Sequence, residues 1–336
     1  MSCPQRHFFS FIDCLERRRL LHDRATSTNP KNRCQPPPEI RNLLASVEIL
    51  GYLLLCLIWS TTWQAIRICL TGYPPLFGAS LRFFIAVAVL LGVITARKRS
   101  IKLPGGMRQH LALFGAGVVN GLGYALIYLA ELKLSGGTTA ILCATSPLFT
   151  LLVARLFGLE QLVLRRVAGM SVGLFGIAAL FWDGQQIGTS QVQAMLLALV
   201  AAALMWPIYG ALLKRYASDL SPLISTLYFL FYTALSLLLL APLRGETFPS
   251  IGSAPLSAHL ALGFLAIFGS VIAWSVYLAL LRRLDLSVLS TIGLVQPVFA
   301  LVVDLAMKEA QLGLRGYVGA LLVLVAMALS TWPLRR

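Results

Sequence analysis

The chain has 336 residues, 58% of them apolar and only 12% charged, with a formal net charge of +15. That much apolar surface exceeds what a soluble fold of this length can hide, so the composition excludes a pair of soluble domains and points to a polytopic membrane protein. The basic residues lie in the N-terminal region and in alternate connections between apolar runs, which fits a membrane orientation signal and excludes a nucleic-acid patch.

In chain order, residues 1–45 form a basic region rich in Arg, Pro and Asn. Phe8, Phe11, Ile12 and Leu15 share one helical face ahead of Arg17, Arg18 and Arg19. This reads either as a short helix lying on an anionic membrane surface or as a disordered tail ending at Pro36-Pro37-Pro38. The apolar stretch is too short, and its arginines lie on the wrong side, for a secretory signal peptide. Ten apolar segments then follow, each near the roughly 20 residues a bilayer requires. They run over about 46–70, 75–96, 108–130, 135–157, 165–182, 190–213, 220–241, 258–281, 286–307 and 312–333.

Lys and Arg give the orientation. With the N-terminal region inside, the inner connections hold Arg97, Lys98, Arg99, Lys102 and Arg108, then Arg155, Arg165 and Arg166, then Lys214 and Arg215, then Arg282 and Arg283. The outer ones hold only Arg67, Lys133, Arg244, Lys308 and Arg315. Both termini are therefore expected on the cytoplasmic side of the plasma (inner) membrane.

The segments repeat. Pro147 and Phe149 correspond to Pro297 and Phe299, and Leu164, Arg165 and Gly169 to Leu314, Arg315 and Gly319, all at one offset. Trp59, Arg67 and Pro75 correspond likewise to Trp206, Lys214 and Pro222, and Tyr128-Leu129-Ala130 to Tyr277-Leu278-Ala279. The halves, 46–182 and 190–333, hold five segments each, and an odd number of spans inserts the second copy upside down. Charge agrees: the connection with Arg67 falls outside and its counterpart with Lys214 and Arg215 inside. The expected fold is an all-α membrane protein of ten transmembrane helices in two inverted five-helix repeats.

Certain residues carry a family resemblance. They are Trp59-Ser60-Thr61-Thr62-Trp63, Pro74-Pro75 followed by Leu81-Arg82-Phe83, Ser146-Pro147-Leu148-Phe149-Thr150 leading to Glu160, and Gln296-Pro297-Val298-Phe299 leading to Glu309. In this order the chain resembles the EamA-type transporters of the drug/metabolite transporter superfamily, over about 46–333. The resemblance implies alternating-access transport of small organic solutes through a central cavity lined mainly by segments 1, 3, 4, 6, 8 and 9.

Polar and aromatic residues inside the spans are the substrate-binding candidates: Trp63, Gln64, Asn120, Tyr124, Tyr128 and Ser146 in the first half, and Trp206, Tyr209, Trp274, Tyr277 and Gln296 in the second. Asn120, Tyr124 and Tyr128 follow one another at one-turn intervals. Rings and amides together suit an amphipathic or planar solute held by stacking and a few hydrogen bonds; interfacial belts and helix-joining polar contacts are the plainer explanation. Arg82 and Asp304 are the charged intramembrane candidates: Arg82 to attract an anionic group or to serve folding, Asp304 to bind a cation or proton or to pair with a base. Glu131, Glu160 and Glu309 stand at span ends, where solvated or salt-bridged structural roles are expected. Pro147 and Pro297 should bend their helices beside the pathway, and Gly136, Gly137, Gly169, Gly173 and Gly176 should permit close packing.

Cys3, Cys14, Cys34, Cys56, Cys69 and Cys143 show no metal or disulfide spacing and read as free thiols. No cofactor or metal site is expected, and no Walker A pattern is present to supply ATP. The partners expected are a small-molecule substrate and the lipid bilayer, not nucleic acid; a homo-dimer is one open oligomeric state. A secondary transporter, exporting amino acids, related metabolites or drug-like compounds, is the leading class. The alternatives are a non-transporting membrane receptor or scaffold, and a membrane-embedded enzyme.

Overall fold

A computed structural model describes residues 38–102, 105–134, 136–181, 189–247 and 254–297, with the isolated positions 318–319, 321–322, 325–326 and 329. All regular structure among them is helical. The helices of the first half are α1 (Pro38–Cys69), α2 (Pro75–Ala96), α3 (Met107–Glu131), α4 (Gly136–Cys143), α5 (Ser146–Leu156) and α6 (Leu164–Phe181). Those of the second are α7 (Thr189–Val200), α8 (Trp206–Leu212), α9 (Pro222–Leu240), α10 (Leu256–Ala266), α11 (Ala273–Leu281) and α12 (Leu286–Ser290).

Six stretches are long and apolar enough to cross a bilayer: Ser46–Cys69, Pro75–Ala96, Met107–Glu131, Thr189–Ala217, Pro222–Arg244 and Leu256–Leu281. They correspond to the first, second, third, sixth, seventh and eighth segments expected from the sequence. Leu53, Leu57, Leu111, Phe114, Leu196, Leu239 and Leu260 stand exposed on the outer faces of these helices, where a lipid phase would cover them. The expected amphipathic stretch at 8–19, Asp304 and Glu309 fall outside the described residues, as do the second part of the ninth segment and most of the tenth.

Proline and carboxylate together start the second span. Pro75 is the first residue of α2, where its missing N–H would have had no partner anyway. The next two amides, Leu76 and Phe77, donate to the carboxylate of Glu246 from beyond α9, at 2.9–3.1 Å. An acid at a helix N-terminus also meets the positive end of the helix dipole. Pro222 opens α9 in the same way.

Contacts between distant residues fix the two ends of the bundle. At one end Arg283 pairs with Glu48, Arg108 lies over the Tyr216 ring, and Arg166 pairs with Asp285. At the other, Glu246 caps α2 and Tyr73 meets His259 edge to face. Arg97, Lys98, Arg99, Lys102, Arg155, Arg165, Lys214, Arg215 and Arg282 belong to the first, or basic, end. Among described side chains, the far end carries the cations Arg67, Lys133 and Arg244.

At the basic end Arg166 joins the halves. It donates to Glu160 at 2.8 Å, to Ser287 Oγ at 2.7 Å and to Asp285 at 2.7 Å. Glu160 in turn accepts the Ser287 amide at the start of α12 and its hydroxyl as well. The expected salt-bridged role of Glu160 is seen here.

Helix packing is closest between α3 and α9. A Cβ on Gly117 would lie 2.5 Å from Tyr232 Cβ and 2.9 Å from the Phe229 carbonyl oxygen. One on Gly121 would overlap Ser236 Oγ. This is the small-residue contact by which apolar helices approach in a bilayer. Gly136 serves α4 similarly against Trp63, and Gly173 of α6 meets Ala326.

Candidate functional site

Two spans break midway. The fourth stops at Cys143 and resumes at Ser146, with Pro147 in the first turn of α5. At the break, the amide and hydroxyl of Thr145 both donate to the Leu142 carbonyl, at 3.2 and 2.7 Å. The ninth span breaks at Thr291, between α12 and a helical turn over 292–297, and Thr291 donates twice in the same way to the Val288 carbonyl. The first break adjoins Pro147. The second stands six residues before Pro297, and the residues that follow Pro297 lie outside the described ones.

Two other spans widen instead of breaking. Ala201–Met205 and Leu213–Ala217 are π-helical turns on either side of α8, and Ile267–Ile272 is another between α10 and α11. Such turns recur at functional sites because they re-aim the side chains that follow. Here the residues that follow are Trp206 with Tyr209, and Trp274 with Tyr277.

These features converge on a cavity with about 800 Å³ of atom-free space, part of it open to solvent. From α1 come Trp59, Thr62, Trp63 and Ile66, a single helical stripe; from α3 come Tyr124 and Ile127. The two broken spans add Cys143, Ser146 and Thr150 on one side, and Leu286, Leu289, Ser290, Ile292, Gly293 and Gln296 on the other. Trp206, Tyr209, Trp274 and Tyr277 complete the wall.

The rings form two groups. Trp274 stands 5.5 Å from Trp59, 5.4 Å from Tyr277 and 5.5 Å from Tyr209, measured between ring centroids. Trp63 and Trp206 form the second, 6.4 Å apart. Trp63 Nε1 donates to Gln296 Oε1 at 3.0 Å, a hydrogen bond between the halves. The indole N–H groups of Trp59 and Trp274 are buried and lack an acceptor among the described residues. Among the described residues, no charged side chain belongs to the wall. The chemistry offered is ring faces, a few hydroxyls, one amide and two unclaimed donors.

Eight sequence candidates meet here: Trp63, Tyr124, Ser146, Trp206, Tyr209, Trp274, Tyr277 and Gln296. Three lie elsewhere. Gln64 is exposed on the outside of α1, since a helix turns about 100° per residue and Trp63 faces inward. Asn120 is fully buried but donates to Thr233 Oγ1 at 3.1 Å, where the glycine contact brings α9 close. Tyr128 is fully buried off the cavity and beside Arg82, with Tyr124 6.4 Å away. Reasoning from sequence missed Trp59, Thr62, Ile66 and Thr150. Helical spacing from Trp63 and Ser146 was the available signal.

Arg82 does not line the cavity either. Fully buried, it donates from Nε to Ser270 Oγ at 2.9 Å and from Nη2 to the Gly269 carbonyl at 3.1 Å. Its guanidinium also lies 5.2 Å from the Tyr124 ring centroid. Its partners are thus the π turn of the eighth span and one cavity ring. Glu131, expected to be solvated or salt-bridged, is instead buried with neither oxygen partnered among the described residues.

The sequence pattern of the EamA-like transporter family matches residues 46–182 and 193–332. The uncharacterized inner membrane transporter YedA of Escherichia coli (strain K12) is 30% identical over 247 residues, covering 73% of this chain and 78% of YedA. Protein PagO of Salmonella typhimurium is 25% identical over 263 residues, 76% of this chain and 83% of PagO. An S-adenosylmethionine/S-adenosylhomocysteine transporter of Chlamydia trachomatis is 26% identical over 255 residues, 72% of this chain and 76% of the relative. A solved crystal structure shares the fold with a TM-score of 0.69 at 22% identity, over 85% of this chain and 96% of the solved one.

Proposed function

Because the chain belongs to the EamA-like transporter family and is a membrane transporter, we propose that it exports small organic solutes with a planar or aromatic part. Amino acids, related metabolites and drug-like compounds are the class. The single observation that carries this reading is the cavity walled by rings from both halves, with the indole N–H groups of Trp59 and Trp274 unclaimed among the described residues. Ring faces favour a flat apolar body by stacking, and free donors favour an acceptor such as a carboxylate or a ring nitrogen. The relative that handles S-adenosylmethionine is named for a solute with both features.

The proposed cycle is alternating access by two inverted repeats, 46–182 and 190–333, inserted in the inner membrane with both termini cytoplasmic. The basic end is then the cytoplasmic one. Substrate contacts are assigned to Trp63, Tyr124, Ser146, Trp206, Tyr209, Trp274, Tyr277 and Gln296, joined by Trp59. Trp63 and Gln296 already bind one another across the halves, so a solute that engages Gln296 competes with that link and loosens one half from the other.

The test uses purified protein in liposomes with labelled S-adenosylmethionine, tryptophan and phenylalanine as probes. At least one should exchange saturably, and Gln296→Ala or Trp59→Ala should slow it when equal amounts of folded protein are reconstituted. Flux no greater than in protein-free liposomes for a broad solute panel would favour a receptor or scaffold instead.

A further inference from the structure

Glu131 ends α3 at the far end of the bundle. It lies seven residues beyond Tyr124 and four beyond Ile127, both in the cavity wall. Seven residues of α-helix return to within about 20° of the starting direction, so Glu131 continues the lining face of α3 by two turns. The wall residue Cys143 is its electrostatic neighbour on α4.

The carboxylate is 4% exposed, and neither oxygen has a hydrogen-bond partner among the described residues. The other glutamates with described side chains are all engaged: Glu48 with Arg283, Glu160 with Arg166 and Ser287, and Glu246 with two amides of α2. The ionisable groups facing Glu131 are Arg67 from α1, Arg82 from α2 and Cys143 from α4. Tyr128 on α3 and Lys133 in the turn after it stand nearby in sequence. The packed α7 and the far-end half of α9, Ala234–Leu240, bring no ionisable side chain. Arg67 is exposed, and Arg82 donates from Nε to Ser270 and from Nη2 to Gly269, while its Nη1 has no hydrogen-bond partner among the described residues.

A bare buried carboxylate without hydrogen bonds costs several kcal/mol, whereas the protonated acid does not. Water, or an approach of Arg67, reverses that preference. The group therefore has two stable forms, selected by whether water in the cavity reaches it.

We propose that Glu131 is the proton-carrying carboxylate of the transport cycle. In the closed shape it holds one proton on a carboxyl oxygen. When the cavity opens toward the basic end, that proton passes to the water filling it and leaves the carboxylate anion; a proton taken from water at the far end restores the acid, so proton and exported solute move in opposite directions. Each cycle then moves one proton against one solute. This rests on the alternating-access reading above but names a residue outside the proposed substrate contacts.

Infrared difference spectra of the full-length protein in lipid, between acidic and alkaline buffer, test the assignment without any solute. The wild type should show a protonated-carboxyl band that bleaches in alkali, absent in Glu131→Gln and displaced in Glu131→Asp. A band identical in Glu131→Gln and wild type overturns the proposal. In proteoliposomes a tenfold proton gradient can support up to about a tenfold gradient of a transported probe at one proton per solute. Glu131→Gln should let the probe only equilibrate, and accumulation equal to wild type would also overturn the proposal. Failure of every probe would count against the transport reading alone, since the infrared result does not depend on it.

Discussion

Trp63 and Gln296 lie 233 positions apart in sequence, yet the indole of one donates to the side-chain oxygen of the other at 3.0 Å. Both are buried, so removing one partner strands the other, at about 1–3 kcal/mol. Trp63→Phe and Gln296→Leu should each lower the thermal midpoint of the purified protein. The double variant should lose clearly less than the two losses added, because only one bond is at stake. Strict additivity in the melting data would show that the pair is not coupled.

The Arg166 cluster should be lopsided. Glu160 has 7% of its side chain exposed and Asp285 has 53%. Glu160→Gln leaves a buried guanidinium short of its charge partner, a loss on the order of 3–5 kcal/mol. Asp285→Asn removes a solvent-screened pair worth about 0–1 kcal/mol. Thermal unfolding in one detergent should separate the two variants widely, and equal midpoints would contradict the burial argument.

Glycines should divide by what surrounds them. Gly121→Ala places a methyl group into Ser236 Oγ and 3.0 Å from the Thr233 carbonyl oxygen, an overpacking cost of about 1–3 kcal/mol. Gly92 and Gly263 have nothing within 4 Å of the same methyl. Gly121→Ala should therefore reduce the yield of monodisperse protein, while Gly92→Ala and Gly263→Ala should leave it unchanged. Size-exclusion profiles are the readout.

Orientation can be measured directly. A reporter active only outside the cytoplasm should stay silent when fused at Lys98 or Ala217 and be active at Gly245. The basic end would then face the cytoplasm, as positive charge directs. Activity at Ala217 and silence at Gly245 would reverse the whole assignment.

Much of this molecule is legible in its letters. Pro75 and Pro222, each just before an apolar run, mark helix starts for a stereochemical reason, and an all-round apolar composition marks burial in lipid. Rings and polar side chains inside such runs were the natural site candidates, and eight of them face one cavity. Depth and azimuth were harder. Steps of four drift by about 40° each, so Tyr128 turns away from the direction of Tyr124 toward Arg82. Asn120, seven residues before Ile127, keeps nearly that residue's direction but sits lower on the helix, where Gly117 and Gly121 let α9 close over it. The setting of Glu131, with neither oxygen partnered among the described residues, depends on what distant helices bring to it, and no local pattern encodes that. Wide helical turns likewise have no sequence signature of their own.

One of those turns places the control of the cavity outside it. Within Ile267–Ile272, Ser270 Oγ donates to the Leu265 carbonyl five residues back, and the same oxygen accepts from Arg82, whose Nη2 also holds the Gly269 carbonyl. A residue of the second span thus clasps the extra backbone of the eighth. Losing that extra residue would return the turn to α-helix and swing Trp274 and Tyr277 by about 100°. Selectivity in this lineage can therefore drift through substitutions at positions 82, 269 and 270, with every side chain that could touch a solute left unchanged.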